Sequence, residues 1–239
     1  MTTSLAPPPA TPTLAAAGAR LVAGFDDPID QARIALAWAH DTFGEQLVLA
    51  SSMGDEVLVH LASDVVPEVD VLFIDTGYHF AETLGTAAAY EATRPLRLIT
   101  VTPRATVSEQ DAAEGPRLYE RDPDRCCALR KVEPLERGLE PYSAWITGMR
   151  RADAPTRTDI DVIGWDAKRG KVKVNPLAGW TDEDVDVYAT VHDVLLNPLR
   201  QIGYTSIGCA PCTNPTLPGQ DPRAGRWAGR AKTECGLHT

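Results

Sequence analysis

Four short runs rich in Val, Ile and Leu constrain this chain more than any other feature. They lie at residues 47–51 (LVLAS), 69–75 (VDVLFID), 96–101 (LRLITV) and 142–148 (YSAWITG). Each has the length of a strand and little polar alternation, the pattern of a strand buried on both faces. Helix-like segments separate them, at 29–44, 57–65 and 80–93. Strand–helix alternation with short connections predicts βαβ units. The expected fold is a single α/β domain with an open, mostly parallel sheet and helices on both faces, spanning residues 21–200. A later helix is predicted from WTDEDV, with Thr181 as its N-cap and acids in the first turn, where they suit the helix dipole. After about Asn197 the periodicity stops and Gly, Pro and Cys take over, so residues 201–239 read as a ligand-bearing segment without a core of its own. Residues 1–20, rich in Ala, Pro and Thr, lack the basic start and apolar stretch of a secretory signal and are expected to form a disordered tail outside the fold.

Charge narrows the function. The formal net charge is −10, which argues against a chain-wide nucleic-acid surface. No apolar run reaches the ~18 residues that would span a bilayer. From Arg200 onward, however, Arg200, Arg223, Arg226, Arg230 and Lys232 face only Asp221 and Glu234 in the sequence. That local excess suggests a small anionic ligand, the alternative being an ordinary solvated tail. The five cysteines are an odd number in a chain with no export signal. A cytoplasmic location with reduced thiols, used for metal binding or catalysis, is the expectation.

In an open parallel sheet, ligands sit beyond the carboxyl ends of the strands. Three predicted strand ends carry informative residues. SSMGDEV follows the first, with Ser51, Ser52 and Gly54 before a helix, where backbone N–H groups suit a phosphate. DTGYHFAET follows the second, and GMRRADAPTR, with Arg150, Arg151 and Arg157, follows the fourth. Each alone is also explained as an ordinary turn or cap. Neither GxxxxGK[ST] nor GxGxxG is present.

The cysteine spacing is the strongest signal. Cys126 and Cys127 are adjacent, Cys209 and Cys212 form a Cys-x-x-Cys pair, and Cys235 stands alone in ECGLHT. Consecutive Cα atoms lie about 3.8 Å apart, below the roughly 4.4–6.8 Å of an unstrained disulfide. Two pairs of thiols suit tetrahedral zinc or a [4Fe–4S] cluster. An adjacent pair is unusual for structural zinc, whereas a cluster offers each sulfur a different iron. Arg121, Arg125, Arg130 and Lys131 surround the pair, which is poor company for merely buried cysteines.

With FIDTGYHFAET, WITGMRRADAPTR, KVNPLAGWTDEDV, NPLRQIGYTSIGCAPCT and RAGRWAGRAKTECGLH in this order, the chain from about residue 45 to 239 resembles the assimilatory adenylyl-sulfate (APS) reductases. These are the iron–sulfur branch of the APS/PAPS reductases, related to the PP-loop ATP pyrophosphatases. The resemblance implies a [4Fe–4S] cluster on Cys126, Cys127, Cys209 and Cys212, and Cys235 as the nucleophile. It implies reduction of APS to sulfite and AMP through an S-sulfocysteine, in sulfate assimilation. Lys131, Arg223 and Arg226, and more weakly Arg157, match the phosphosulfate-binding positions. Ser51, Ser52, Gly54, Thr76 and the backbone at Gly148 match the adenosine-binding ones, and Lys232 and His238 are candidates to stabilise the thiolate. Lys131, one helical turn past Cys127, is placed to meet both substrate and cluster. The SGGxDS loop of the pyrophosphatases is replaced by Ser51-Ser52-Met53, without the paired glycines. With no thioredoxin-like domain following residue 239, a separate thioredoxin is the expected partner; the reading is compatible with a homo-oligomer and includes neither nucleic acid nor membrane. The rival readings are a PAPS reductase, a PP-loop enzyme that adenylates its substrate or modifies tRNA, and a non-enzymatic iron–sulfur or zinc redox sensor.

Overall fold

Apolar strands stripped of polar alternation need cover on both sides, and the sheet satisfies this unequally. The computed structural model describes residues 8–230, 232 and 234–237. Its strands are β1 (Leu47–Ser51), β2 (Val69–Ile74), β3 (Leu96–Val101), β4 (Ala144–Ile146), β5 (Ile163–Asp166) and β6 (Lys171–Val174). Their order is β3-β2-β1-β4-β6-β5. All neighbours are parallel except β5, which runs antiparallel to β6. The helices are α1 (Pro12–Val22), α2 (Pro28–Phe43), α3 (Glu56–Val65), α4 (Ala81–Thr93), α5 (Val107–Glu114), α6 (Leu118–Arg121), α7 (Pro123–Cys127), α8 (Glu133–Leu139) and α9 (Asp182–Val191). Leu47 and Leu49 of β1 join a large core with Leu36, Phe43, Leu58, Leu61 and Trp180. Val48, between them in sequence, faces a smaller cluster with Leu72, Leu135, Leu139 and Trp145. One face is thus thickly covered, and the other chiefly by α8.

The α/β fold read from the sequence is the one observed, with small shifts at element ends. The hairpin β5–β6 lay outside that reading, because IGWD and KVKV are short and carry charge. The disordered tail expected over residues 1–20 is corrected for residues 12–20, which belong to α1. Thr11 caps it by accepting a hydrogen bond from Leu14 N–H (3.1 Å), and Pro12 opens its first turn. The small residues that looked unstructured are the packing surface. Ala15, Gly18 and Val22 are buried, and a Cβ on Gly18 would lie 2.7 Å from the Trp38 ring of α2. The part of that call on residues 1–7 falls outside the described residues. Thr181 caps α9 in a full capping box with Asp184, as the sequence implied.

The chain order reverses at β1, with β2 and β4 on either side of it, so the ends of β1 and β4 flank the switch point. Ser51 Oγ donates to Asp55 (2.6 Å) and accepts from Met53 N–H (3.0 Å). Met53 takes φ +56, so the left-handed turn is kept without glycine there, at a cost of about 1 kcal/mol. Asp55 abuts the end of β4, where a Cβ on Gly148 would sit 2.8 Å from its Oδ2. Burial pushes the Asp55 carboxyl up to about 6.

Glu56, only 1 % exposed, opens α3 and holds the segment after α9. It accepts from Arg200 (2.8 Å) and from Asn197 N–H (3.0 Å). Asn197 also donates to Thr83 Oγ1 (3.2 Å), and Tyr90 bridges the Glu56 and Leu195 carbonyls.

Two outcomes follow from these contacts. Because Asp55 is raised from 3.8 to about 6, its charged form opposes folding, and stability is lost as pH rises through about 6. Asp55→Asn should therefore raise the melting temperature more at pH 7.5 than at pH 4.5. Thermal unfolding at both values checks this, with a ceiling of about 3 kcal/mol that solvent reaching the site reduces. Arg200→Met strands a buried carboxylate and should cost roughly 3 kcal/mol or more in denaturant unfolding.

Candidate active site

Beyond the carboxyl ends of β1 and β4 lies a cavity of about 500 Å³, a size suited to a nucleotide. Ser51, Ser52, Gly54, Thr76, Lys131, Gly148, Arg157, Arg223, Arg226, Cys209 and Cys235 all line it. Residues more than 180 positions apart in the chain therefore converge. His238 lies outside the described residues.

Adjacent to this cavity is a second, much smaller one. Cys126, Cys127, Cys209 and Cys212 all line it, and Lys131 lines both cavities. Cys126 and Cys127 end α7, capped by Asp122 accepting from Arg125 N–H (2.9 Å). The helix then widens into a π-helical turn, Ala128–Val132, before α8. Such turns recur at functional sites. Here it turns both Arg130 and Lys131 inward, at 3 % and 9 % exposure, where the sequence alone gave an ordinary α-helical spacing for Lys131. Arg130 supports the loop after β2, donating to the Thr76 carbonyl and to Gln110 (3.1 Å). The Thr76 hydroxyl is itself engaged, 3.3 Å from Cys209 Sγ and accepting from Tyr78 N–H (3.2 Å), so it ties the two cavities together.

All five cysteines are free thiols. Burial pushes the Cys126 thiol up to about 12, with neighbouring thiolates adding to the rise. Cys127 and Cys212 rise for the same first reason, partly offset by Lys131 beside each. Among the described residues no group of three His, Cys, Asp or Glu is placed to hold a single ion. Four thiols lining one small cavity fit a metal centre, whose positive charge would offset that of buried thiolates. For Lys131, burial favours the neutral amine, but the thiolates of Cys209, Cys235 and Cys127 more than offset it and hold the ammonium above its usual value.

The C-terminal cations reach the cavity through a backbone tie to the Cys-x-x-Cys turn. Thr213 pairs with Arg226, Asn214 N–H donates to Gly225 (2.9 Å), and Trp227 N–H donates to Cys212 (3.0 Å). Glycine is required at 225, where a Cβ would lie 2.0 Å from the Asn214 carbonyl oxygen. Arg226 packs its guanidinium on the Trp227 ring at 4.6 Å, and its enclosed Nε–H has no acceptor among the described residues. Burial lowers its pKa. Arg157 and Arg223 instead meet Glu234, at 2.9 and 3.2 Å, and Arg157 also meets Asp153 (3.0 Å). Glu234 immediately precedes Cys235, which is half-buried.

Some residues singled out in the sequence serve other partners. Lys232 pairs with Asp124 beside the cysteine pair and lies over the Trp227 ring at 5.4 Å. Arg150 is held by Asp153 (2.9 Å) and Asp182 (2.7 Å), and Arg151 donates to the Ile160 carbonyl (3.0 Å). Conversely, Asp55, Ser206 and Glu234 line the cavity without having been anticipated. Ser206, which accepts from Arg226 (3.3 Å), and Glu234 lie within the quoted runs GYTSIGCAPCT and ECGLH, but neither was singled out there.

This arrangement has close counterparts. Residues 46–215 match the family model described as the phosphoadenosine phosphosulfate reductase domain. The adenosine 5'-phosphosulfate reductase of Streptomyces coelicolor is 61% identical over 203 residues, covering 85% of this chain and 86% of its own. That of Mycolicibacterium smegmatis is 56% identical over the same shares. Among solved structures, the phosphoadenylyl-sulfate reductase of Candida auris in complex with phosphate superposes with a TM-score of 0.68 at 28% identity, covering 84% of this chain and 96% of that one. The FMN adenylyltransferase of Candida glabrata, at 13% identity, a TM-score of 0.54 and coverage of 87% of this chain and 76% of its own, shares the fold alone. The cavity, its two cysteine pairs and its lone terminal cysteine thus sit in a chain that belongs to the APS/PAPS reductase family of oxidoreductases.

Proposed function

We propose that this chain reduces adenosine 5'-phosphosulfate to sulfite and AMP in sulfate assimilation, with thioredoxin as reductant and an S-sulfocysteine on Cys235 as intermediate. One observation carries the reading: Cys235 shares a nucleotide-sized cavity with Lys131, Arg223 and Arg226. A thiol facing three cations suits attack on a sulfonyl group bearing negative charge.

The steps balance as follows. The Cys235 thiolate attacks the sulfate sulfur, an S–S bond forms, and the P–O–S bridge breaks with AMP taking the electron pair. Lys131, Arg223 and the Nε–H of Arg226, which has no acceptor among the described residues, hold the phosphosulfate oxygens as charge shifts to the leaving phosphate. The loop Ser51–Gly54 and the Gly148 backbone seat the adenosine. A thioredoxin thiolate then attacks Cys235 Sγ, sulfite departs with the electrons of the S–S bond, and the second thioredoxin thiol frees Cys235 by closing a disulfide. Thioredoxin is oxidised and the sulfur is reduced by two electrons.

Cys126, Cys127, Cys209 and Cys212 would hold a [4Fe–4S] cluster, whose contribution there is fixed charge beside Lys131. The choice of APS over its 3'-phosphorylated form rests on the names of the relatives at 61% and 56% identity, against 28% for the phosphoadenylyl-sulfate reductase.

The test is sulfite release from APS and from PAPS with thioredoxin, on anaerobically purified protein assayed for iron and acid-labile sulfide. Turnover with APS is expected to exceed that with PAPS, with about four irons per chain. Cys235→Ser should abolish turnover and keep the iron; an undiminished rate in that variant would sink the mechanism. Arg226→Ala should lower kcat/KM for APS by about 10²–10³-fold, as expected for a lost donor to developing charge, with unchanged iron content.

A further inference from the structure

The terminal segment meets the body of the protein on both sides of Cys235, through two contacts of different chemistry. Upstream, Glu234 is held by Arg157 and Arg223 at 2.9 and 3.2 Å. Those arginines line the cavity proposed to receive an anionic substrate, so the Glu234 contact competes with that substrate. Downstream, Gly236 takes φ +81, a left-handed turn that glycine adopts without strain, and the chain reaches Leu237.

Leu237 makes no ion pair, although it lines the same cavity together with Leu72, Leu135 and Trp145. Its side chain packs on the thinly covered face of the sheet, against the small cluster that includes Leu72, Leu135 and Trp145. Its backbone carbonyl accepts a hydrogen bond from Arg169 Nη2 at 3.0 Å. Arg169 lies in the turn between β5 and β6, and its side chain is only 3 % exposed. Asp166 (2.8 Å) and Glu136 (2.7 Å) fix the guanidinium, which lies 5.1 Å over the Trp145 ring. A donor held on three sides by its own neighbours, with one N–H directed at the tail backbone, is a preorganised receptor.

We propose that Arg169, with the apolar wall at Leu135 and Trp145, is the docking site for Leu237, and that this anchor keeps Cys235 over the cavity while substrate takes Arg157 and Arg223 from Glu234. The proposal deepens the reading of Cys235 as nucleophile and rests on it. Arg169 is accordingly a positioning residue: it acts on Cys235 through the tail and touches no reacting atom. The two contacts then divide the work, one released on substrate entry and one retained.

Replacing Arg169 would leave Glu136 and Asp166 unpaired and risks misfolding, so the informative variants are on the tail. Leu237→Asp places a charge against the apolar wall, and Leu237→Ile is the conservative control. Carboxamidomethylation of Cys235 by iodoacetamide, followed by mass spectrometry of its peptide in resting protein, reads docking without turnover. Leu237→Asp should be alkylated about tenfold faster than the parent, the factor expected for losing the contacts of one partly buried leucine. Its kcat for APS should fall by about the same factor, and Leu237→Ile should retain the parent's alkylation rate and kcat. An unchanged alkylation rate or an unchanged kcat in Leu237→Asp would overturn the anchor. Retained turnover in Cys235→Ser would instead overturn the nucleophile assignment, and the alkylation measurement would still report where the tail sits.

Discussion

Glu56 is the contact on which the site depends. The 48 residues after α9 carry Cys209, Cys212, Arg223, Arg226 and Cys235. They are fastened to the α/β core where Arg200 and the Asn197 backbone converge on one buried carboxylate at the head of α3. Asn197 extends the same network to Thr83, and Tyr90 ties Glu56 to Leu195. A charge enclosed this fully is tolerable only when paired, so the geometry tolerates few alternatives. The polar network does for this segment what a hydrophobic core does for the rest.

Charge is arranged by the same logic elsewhere. The chain is acidic overall, at −10, but Lys131, Arg150, Arg157, Arg200, Arg223 and Arg226 line the cavity at the carboxyl edge of the sheet, balanced there by as many carboxylates. Several are committed to structure: Arg130 to the loop after β2, Arg150 to Asp153 and Asp182, Arg169 to Glu136 and Asp166. Lys131 lines both cavities and Arg226 keeps an enclosed donor without an acceptor among the described residues. Burial makes these two cations strong partners for an anion, because the surrounding protein screens far less than water. Arg157 and Arg223 share the Glu234 carboxylate, which gives the resting site an internal anion.

The unequal faces of the sheet matter for the tail. A thick layer of helices covers the side of Leu47 and Leu49, whereas the side of Val48 and Trp145 is covered chiefly by α8 and receives Leu237. A feature of layer packing thereby sets where the terminal cysteine comes to rest.

The strands β1 to β4 were legible because each is a short run rich in apolar residues, although β3, at the sheet edge, exposes Arg97 and Thr100, and the cysteine pairs because adjacent thiols have few other uses. The hairpin β5–β6 was not, since four-residue strands with alternating charge resemble loops until a neighbouring edge pairs with them. Helix α1 was hidden for a related reason: Ala and Gly carry little hydrophobic signal, and their smallness counts only against Trp38. By itself the sequence determined the fold class, the two cysteine pairs, the lone terminal thiol and the basic residues near it, because each is a matter of residue type at a spacing. Only the tertiary structure decided that Lys131 turns inward through a π-helical turn to line both cavities, that Glu234 occupies two arginines, and that Arg169 meets Leu237. The last two are contacts between residues 11 to 77 positions apart, and no local pattern encodes the distance between groups that the chain brings together only by folding.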